Sequence, residues 1–527
     1  MSMVTLIFIG IIGLLVGFLV LVAIYDLVQS KHTILRNFPV IGHLRYILEG
    51  IGPELRQYIV TNNNQERPFN RDERSWVYAS SKKENNYYGF GTDNAIENEL
   101  NYLIIKHSAF PHSPPPRGPE ELPTIACSKV WGAARGRAKA FRPESTIYIS
   151  AMSYGSLSAP AVEALNKGAA MAHCMHNSGE GSVTPHHGHG GDIMWQIGTG
   201  YFGCRDEEGR FNLEKLKEVI ARYPVRAIEI KLSQGAKPGH GGVLPAGKIT
   251  EEIAAIRGIP MGVDCVSPSS HREFTNVDEM LDFVEMIAQA TGLPVGIKSA
   301  VGQMDFWQEL AEKMVDGKRG VDFIVIDGGE GGTGAAPLAF SDHVSYPFKT
   351  GFPRVYREFA IRGIADNVVF VGSGKLGFPQ SALLAHALGC DMISVAREAL
   401  LAIGCIQAQR CQTNKCPAGI TTQNKWLMRG LDPQHKSVRF ANYALNLQYE
   451  IMELANACGV PHPSLVTLDH FDILGEDFSA RSARDAFGYE PGWALPPQAE
   501  QERLWAEGKG FQAKARAKSK AALSAAE

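Results

Sequence analysis

The sequence lacks the features that mark several large classes of protein. Its 527 residues carry a net charge of −3, so no excess of positive charge points to nucleic acid as a partner. No stretch matches G-x-x-x-x-G-K-[ST], the phosphate loop of nucleoside triphosphatases. Nine cysteines are too few for a disulfide scaffold in a chain of this length. With 45% hydrophobic residues, the sequence instead predicts a globular protein of more than one domain.

Positive charge is also missing at the start of the chain. Residues 4–27 are nearly all apolar, and no lysine or arginine precedes them. About twenty such residues suffice to cross a bilayer, whereas the alternative, a cleaved signal peptide, would have a basic start and a small-residue cleavage site. We therefore predict a single transmembrane anchor over residues 1–30. Lys31, Arg36 and Arg45 follow it, so the positive-inside rule places the catalytic domain in the cytoplasm.

The regions that flank the centre of the chain are less regular. Residues 31–145 mix arginines, aromatics and prolines, and we interpret them as a membrane-proximal covering region. Within it, residues 111–123 contain six prolines, which predict a strap or linker rather than regular structure. Residues 426–500 are predicted to form a helical extension, and residues 501–527 a disordered tail.

Residues 146–425 alternate between strand-like and amphipathic segments. Eight such units in about 260 residues are typical of a (β/α)8 TIM barrel, and a doubly wound open sheet is the alternative. Residues 192–206 fit neither pattern, and we interpret them as an inserted strand pair or lid. The predicted strands are 147–152, 173–177, 227–231, 262–266, 294–298, 321–326, 368–371 and 392–395, and the predicted helices are 159–172, 213–222, 249–257, 277–291, 305–315, 356–362 and 379–388.

Four polar side chains follow the second and third predicted strands and are candidates for catalysis. In a barrel, residues after the strands share the C-terminal face, where active sites lie. Lys231 and Lys237, with Gln234 between them, could hold a dicarboxylate. Glu180 could position an amine or transfer a proton. Each lysine could also be an ordinary solvated side chain, and the residues alone leave this open.

Glycine-rich loops follow the sixth and seventh predicted strands. Their backbone N–H groups could bind a phosphate, although barrels often use strands seven and eight for this purpose. Lys298, at the end of the fifth strand, could place a positive charge beside a flavin, or be a surface lysine. The residues predicted to bind the cofactor are Met152, Ser153, Lys298, Gly331, Gly332, Thr333, Gly334, Gly372, Ser373, Gly374 and Lys375.

Three cysteines lie within a dozen residues, at Cys405, Cys411 and Cys416. Thiolates are the usual ligands of iron–sulfur clusters. Three of them with no evident fourth indicate a three-iron cluster, or a four-iron cluster with an open corner. Clustered thiols also favour a reducing compartment, which agrees with the predicted cytoplasmic location.

Five stretches resemble the FMN-binding synthase domain of glutamate synthases. The similarity runs from about residue 147 to residue 423, and the whole chain looks like the short single-subunit branch of that family. The stretches are Met-Ser-Tyr-Gly-Ser at 152–156, Ser-Gly-Glu-Gly at 178–181, Ile-Lys-Leu-Ser-Gln-Gly-Ala-Lys-Pro-Gly at 230–239, Asp-Gly-Gly-Glu-Gly-Gly-Thr-Gly-Ala-Ala-Pro at 327–337, and residues 404–423 from Gly-Cys to Cys-Pro-Ala-Gly-Ile-Thr-Thr-Gln.

The resemblance implies cofactors, substrates and partners. It implies FMN in the barrel, with its phosphate on the backbone at 331–334 and 372–375, and a [3Fe–4S] cluster on the three cysteines beside the flavin. It implies that Lys231, Gln234 and Lys237 face 2-oxoglutarate. The family's chemistry condenses ammonia with 2-oxoglutarate and reduces the product to L-glutamate. Electrons would come from an external donor such as ferredoxin or from a membrane carrier.

Departures from the family pattern leave two alternatives open. The apolar span stands where large glutamate synthases carry a glutaminase domain, so ammonia is expected from another protein. We expect no G-x-G-x-x-G dinucleotide fingerprint in the chain, and therefore no binding of NAD(P)H. His240 replaces a usual glutamate, and the loop at 267–272 is altered. The alternatives are an FMN-dependent transferase like N-methylglutamate synthase, and a membrane electron-transfer subunit without synthase activity.

Overall fold

The computed structural model describes residues 2–113 and 124–508. These residues form two compact units, Met1–Arg74 and Ser75–Glu527. The predicted strap at 111–123 lies mostly outside the described residues, and so does the predicted tail from residue 509 onward. Residues 501–508 of that tail belong to a helix.

The first unit is helical. Its helices are Met3–Val28, Thr33–Asn37 and Gly42–Leu55, followed by a π-helical turn at Arg56–Val60. By length and composition, Met3–Val28 could cross a membrane, and a signal sequence would pass the same test. Asp26, near its end, is fully buried and accepts hydrogen bonds from the Val40 N–H and His43 Nε2, both at 2.9 Å. These contacts tie helix Gly42–Leu55 and the turn before it to the end of Met3–Val28.

Eight parallel strands of the second unit close into a barrel. The last strand pairs with the first, with Ile393 opposite Ile147. Closure confirms the predicted (β/α)8 TIM barrel and excludes the open sheet. In chain order the barrel strands are Ile147–Ile149, His176–Asn177, Ile193–Ile197, Val225–Lys231, Val295–Ser299, Phe323–Asp327, Val369–Ser373 and Met392–Val395.

The third barrel strand corrects two predictions. Residues 192–206 were interpreted as an insertion, but Ile193–Ile197 pairs with both neighbouring strands of the barrel. All five of its residues are buried, so it shows no alternation of polar and apolar side chains. The predicted strand at 262–266 is outside the barrel, where Cys265–Val266 pairs antiparallel with Val243–Leu244. Lys231 therefore ends the fourth barrel strand, not the third.

The helices of the barrel follow the prediction closely. Leu213–Arg222 and Val277–Thr291 have the predicted bounds, and each begins after an asparagine whose side chain accepts a backbone N–H of the first turn. Helix 356–362 was predicted too short. The remaining α-helices of the described residues are Arg71–Lys82, Ala159–Met171, Leu213–Arg222, Glu251–Arg257, Val277–Thr291, Asp305–Met314, Leu338–His343, Phe348–Ala360, Pro379–Ala387, Arg397–Ala402, Lys425–Met428, Pro433–Ala457, Ala483–Phe487 and residues 498–508.

Segments outside the barrel cover the N-terminal ends of its strands and one of its sides. Trp131 and Phe141 belong to the buried cluster that fills the barrel, and the Trp131 ring lies 4.3 Å from that of Phe323. The long helix Pro433–Ala457 packs on Ala159–Met171. A Cβ at Gly168 would lie 2.7 Å from the Ser437 carbonyl oxygen, so only glycine permits this approach. A small antiparallel sheet joins Leu103–Ile105, Phe471–Leu474 and Ala480–Ser482. These segments leave the C-terminal ends of the barrel strands available for a functional site.

Candidate active site

The four predicted catalytic side chains meet at the C-terminal face of the barrel. Lys231 Nζ lies 3.2 Å from Glu180 Oε2 and donates a hydrogen bond of 2.8 Å to Gln234 Oε1. Glu180 follows the second strand and Lys231 ends the fourth, so barrel closure brings them together. Lys237 Nζ donates to the Ala335 carbonyl at 2.7 Å, which joins this loop to the one after the sixth strand. Neither lysine is an ordinary solvated side chain.

The charges in this cluster favour an anionic ligand. Burial raises the pKa of Glu180, but the positive charges of Lys231 and Arg257 outweigh burial and hold that pKa below its usual value. Burial lowers the pKa of Lys237 to about 8, and repulsion by Lys231 acts in the same direction. One carboxylate thus lies among three cations. The excess of positive charge suits a ligand with carboxylate groups.

Two glycines form the wall against which Glu180 lies. A Cβ at Gly242 would be 2.0 Å from Glu180 Oε1, and one at Gly198 would be 2.7 Å from Oε2. Real Cβ atoms do not approach other atoms within 3.0 Å. Glycine at both positions therefore allows the carboxylate to reach Lys231.

Arg257 holds the loop after the first strand, and sequence reasoning missed it. Its Nη2 donates to Ser153 Oγ at 3.2 Å and to the Tyr154 carbonyl at 3.0 Å. Its guanidinium lies over the Phe202 ring, 5.2 Å from the centroid. More than a hundred residues separate Arg257 from Ser153, and no local pattern signals such a contact.

Lys298 is buried, which excludes the surface-lysine alternative. It is 5% exposed, and its Nζ lies 3.5 Å from Asp327 Oδ2. Asp327 also accepts hydrogen bonds from Ser373 Oγ at 2.7 Å and from the Gly235 N–H at 3.0 Å. Asp327, at the end of the sixth strand, therefore joins the ends of the fifth and seventh strands and the loop after the fourth through one ion pair and two hydrogen bonds.

Glu229 lies deeper in the barrel and was also missed. Its Oε1 accepts hydrogen bonds from Gln196 Nε2 at 2.5 Å and from Asn177 Nδ2 at 3.0 Å. Its Oε2 is buried and has no hydrogen-bond partner among the described residues. Burial raises the pKa of Glu229, and the charge of Lys298 only partly offsets this.

The loops after the sixth, seventh and eighth strands converge. The Gly328 N–H donates to the Ser373 carbonyl at 2.9 Å. Arg397, after the eighth strand, donates from Nη2 to the Glu330 carbonyl. A Cβ at Gly332 would be 2.7 Å from Arg397 Cδ, so this arginine packs directly on the glycine loop. Sequence reasoning did not select Arg397.

These converging loops offer donors suited to a phosphate. The Ser373 hydroxyl is used by Asp327, and Gly372 belongs to a strand, where a Cβ would meet Leu376 Cδ1 at 2.7 Å. Lys375 follows with a left-handed backbone, φ 52°. Among the described residues, the backbone N–H groups of Gly332, Thr333, Gly334 and Gly374 have no hydrogen-bond acceptor. Free N–H groups beside an arginine form the kind of concavity that binds a phosphate.

The sequence contains the pattern G-x-G-x-x-G three times, so the expectation that this motif is absent was wrong. The three occurrences are residues 198–203, 329–334 and 372–377. Each follows a strand of a closed barrel, whereas the dinucleotide fingerprint belongs to a doubly wound sheet. The third leads into helix Pro379–Ala387, which is a geometry suited to a phosphate.

The three cysteines lie on a loop that is fixed to the same face. Lys248 Nζ donates to the Ser156 carbonyl at 2.8 Å and to the Cys411 carbonyl at 3.2 Å. Gln423 Nε2 donates to the carbonyls of Gly155 and Leu157, at 3.1 and 2.8 Å. The cysteine loop is thereby held against the loop after the first strand, which carries Met152 and Ser153.

The surroundings of the sulfur atoms favour the thiolate at Cys416, whereas burial raises the pKa of the Cys411 thiol. The Gln407 N–H donates to Cys405 Sγ at 3.4 Å. Burial raises the pKa of Cys416, but the Thr421 hydroxyl and the N–H groups that face the sulfur outweigh it and hold the pKa below its usual value. Among the described residues no group of three His, Cys, Asp or Glu could hold a metal ion. In an iron–sulfur cluster, by contrast, the thiolates bind a cluster of several irons and sulfides. Three thiols with N–H donors and Lys248 nearby match that chemistry.

The altered loop at 267–272 supports Lys231. His271 Nε2 lies 2.9 Å from the Lys231 carbonyl oxygen, and Nδ1 lies 2.9 Å from the Tyr201 hydroxyl. Burial lowers the pKa of His271 to about 4, so the ring is neutral at physiological pH. His240, on the preceding loop, packs edge-on against Phe340 at 5.4 Å.

The chain resembles known proteins in sequence and in fold. Residues 132–461, more than half of the chain, match the family profile described as conserved region in glutamate synthase. The chain is 36% identical over 504 residues to the glutamate synthase large subunit-like protein YerD of Bacillus subtilis, covering 89% of this chain and 95% of that protein. It is 34% identical over 323 residues to the archaeal glutamate synthase [NADPH] of Methanocaldococcus jannaschii, covering 60% of this chain and 59% of that protein. Among solved structures, a mutant flavocytochrome b2 with pyruvate bound aligns over 81% of this chain and 85% of its own, at 12% identity and a TM-score of 0.42.

Proposed function

The chain belongs to the glutamate synthase family, and from that premise we propose that it is an oxidoreductase that aminates 2-oxoglutarate reductively to L-glutamate. FMN and a [3Fe–4S] cluster are the proposed cofactors. The observation that carries the proposal is the largely buried cluster of Glu180, Lys231 and Lys237, which lies on the same face of the barrel as the glycine loops and the cysteine loop.

The substrate is proposed to bind through its two carboxylates. The Lys231 and Lys237 ammonium groups supply charge-assisted hydrogen bonds, and the Gln234 amide orients Lys231. The Glu180 carboxylate, which its neighbours keep ionised, holds the ammonium ion and accepts a proton from it. His271 fixes the backbone at Lys231 and so sets the position of the first carboxylate.

The flavin is proposed to lie over the barrel, beside Met152 and Ser153. Its phosphate would be held by the free N–H groups at 332–334 and 374 together with Arg397. Lys298, buried and paired with Asp327, supplies positive charge at the centre of the face. When bound and reduced, the flavin supplies the hydride for the reduction.

The cluster is proposed to be held by Cys405, Cys411 and Cys416 and to receive electrons from an external donor. Lys248 and Gln423 hold the cysteine loop to the loop that carries Met152 and Ser153, so the proposed cluster and flavin sites lie on loops that contact each other. Helix Met3–Val28 is proposed to anchor the chain in a membrane with a single pass, with the catalytic unit in the cytoplasm. Ammonia would come from another protein.

The test is a product assay on the purified full-length protein. Iron and flavin are quantified first. The protein is then kept reduced by deazaflavin photoreduction, and glutamate is measured after addition of 2-oxoglutarate with ammonium. A parallel sample receives glutamate with methylamine, the substrates of a transferase. Glutamate formed only with 2-oxoglutarate and ammonium supports the proposal. N-methylglutamate in the second sample, or no product in either, contradicts it.

A further inference from the structure

The helix that follows the proposed anchor exposes its apolar side chains. Helix Gly42–Leu55, with the residue before it and the turn after it, carries seven large apolar or aromatic side chains that are 39% to 71% exposed. At 3.6 residues per turn they share one stripe that is roughly 120° wide. We call them the apolar stripe, and they are Ile41, Leu44, Ile47, Leu48, Ile51, Leu55 and Tyr58.

The opposite side of this helix packs within the first unit. The Tyr46 ring lies 5.2 Å from the ring of His32, measured between centroids. A Cβ at Gly42 would lie 3.0 Å from Leu35 Cδ2, so the start of the helix approaches its neighbour closely. The helix therefore packs through its polar side and presents its apolar side outward. A helix that covers a protein core in water has the reverse arrangement.

Charged residues exclude a second membrane span here. Residues 41–60 contain four of them, which are Arg45, Glu49, Glu54 and Arg56. A span of about twenty residues has few or no charges. On the helical wheel the two arginines lie beyond one edge of the apolar stripe, where their long stems can reach a polar layer while the stripe stays in an apolar one. A wide apolar stripe with a charged opposite side is typical of a helix that lies in the membrane surface.

A buried carboxylate fixes the depth at which the apolar stripe begins. Asp26, near the end of helix Met3–Val28, is fully buried and accepts the Val40 N–H at 2.9 Å, and His43 Nε2 lies 2.9 Å from its Oδ1. The helix has 26 residues, and at 1.5 Å per residue it is about 39 Å long. The hydrocarbon core of a bilayer is about 30 Å thick. A spanning helix of this length therefore ends where hydrocarbon meets headgroups, and the stripe begins at that boundary.

The charge of the same region suits a phospholipid surface. Residues 29–60 contain four lysines and arginines and two glutamates, a balance of +2 in a chain whose net charge is −3. Basic residues next to a span are attracted to the anionic lipids of the cytoplasmic leaflet. The first unit thus combines an exposed apolar stripe with a positive balance beside the end of the proposed anchor.

A second copy of the chain is the other partner that the apolar stripe would fit. Apart from Ile47, its members are spaced alternately by three and four residues, as in a coiled coil. The pattern lasts for fewer than three heptads, which is short for a coiled coil. Gly50, Gly52 and Pro53 also lower the helix propensity in its middle. Ile47 widens the stripe beyond a two-position seam, so the stripe fits a lipid surface better than a paired helix.

We propose that helix Gly42–Leu55 lies flat in the cytoplasmic surface of a phospholipid membrane, with the apolar stripe among the acyl chains. Helices of this kind enter the boundary to a depth of about 5–10 Å. The inference rests on the proposed membrane anchor and goes beyond it. A single span leaves the first unit free to rotate about the axis of the span, whereas a second attachment beside it removes that freedom.

The experiment is photocrosslinking of the full-length protein in nanodiscs of phosphatidylcholine and phosphatidylglycerol. p-Benzoylphenylalanine replaces one residue at a time, which is Leu44 in the apolar stripe, Glu49 on the polar side or Leu14 in the proposed anchor. After irradiation, mass spectrometry measures the fraction of each labelled peptide that carries a lipid. Far-ultraviolet circular dichroism checks that each variant is folded.

We expect lipid adducts at Leu44 and Leu14 in similar yield, and roughly five-fold fewer at Glu49, because its side of the helix faces headgroups and water. Ile51→Asp places a charge within the stripe and should lower the adduct yield at Leu44 roughly five-fold or more, with no change at Leu14. Gly50→Asp is the matched control. It adds the same charge on the polar side, where a Cβ meets no atom within 4 Å, and should change neither yield.

Several results would overturn the proposal. Crosslinks from position 44 to a second copy would make the stripe a dimer interface, and crosslinks to the second unit would make it a contact within the chain. Equal lipid yields at Leu44 and Glu49, or equal effects of Ile51→Asp and Gly50→Asp, would remove the orientation of the helix.

The labelling pattern also separates this inference from the function on which it rests. Adducts at Leu14 alone would overturn the surface helix and leave the anchor in place. Adducts at Leu44 alone would support the surface helix and remove the anchor. No adducts at either position would remove both. None of these readouts depends on glutamate formation, so a failure of the proposed reaction would be seen separately in the product assay.

Discussion

Alanine at Gly242 should damage the active site without damaging the fold. Its Cβ would lie 2.0 Å from Glu180 Oε1, and relief to a contact of 3.0 Å requires a shift of about 1 Å. The shift must come from Glu180, whose Oε2 is 3.2 Å from Lys231 Nζ. A displacement of about 1 Å at a catalytic group costs roughly 100-fold in rate, or about 2.7 kcal/mol. We therefore expect kcat/KM for 2-oxoglutarate to fall about 100-fold.

Gly247→Ala is the matched control. A Cβ at Gly247 meets no atom within 4 Å, and neither glycine has a left-handed backbone that would strain an alanine. The assay follows reoxidation of the photoreduced flavin by 2-oxoglutarate and ammonium, with thermal unfolding and flavin content measured alongside. The reasoning would be refuted if Gly242→Ala kept its full kcat/KM, or if Gly247→Ala lost as much.

Three further predictions concern the cysteines and two buried lysines. Cys411→Ser should remove the iron while FMN and the far-ultraviolet circular dichroism stay unchanged; full iron content would disprove the cluster assignment. The pKa of Lys237 is about 8, and its ammonium form is the one proposed to bind the substrate. KM for 2-oxoglutarate should therefore rise roughly ten-fold per pH unit above pH 8 at constant free ammonia. Lys237→Arg should move that rise to higher pH, and a flat profile from pH 7 to 9.5 would exclude the role. Lys248→Met removes a buried cation beside the cysteine loop, so the midpoint potential of the proposed cluster should fall by tens of millivolts. For a one-electron couple, about 59 mV corresponds to a ten-fold change in the equilibrium constant for reduction. An unchanged potential would show that Lys248 only ties the two loops together.

Local sequence signals were sufficient for most of the barrel. Helix Val277–Thr291 could be placed because Asn276 caps it, apolar residues recur at helical spacing, and Gly292 ends it with a left-handed backbone. Strand Ile193–Ile197 was missed because both of its faces are buried and its glutamine points into the barrel. The segment 262–266 has a strand-like composition but pairs only with Val243–Leu244.

The site was predictable where its residues directly follow strands, and not where distant segments supply them. Glu180, Lys231 and Lys298 lie at strand ends, so the barrel itself brings them together. Arg257 and Arg397 act through contacts with Ser153, Tyr154 and Glu330 that are distant in sequence. The role of Gly242 depends on the position of one carboxylate oxygen, which only the folded chain defines.

A single-turnover experiment tests the central claim most directly. The purified full-length protein is reduced anaerobically by deazaflavin photoreduction, and one equivalent each of 2-oxoglutarate and ammonium is added while the flavin absorbance is recorded. The account predicts about one FMN and three irons per chain, and reoxidation of the flavin with one glutamate formed for each flavin. A flavin that stays reduced in the presence of both substrates would contradict the account.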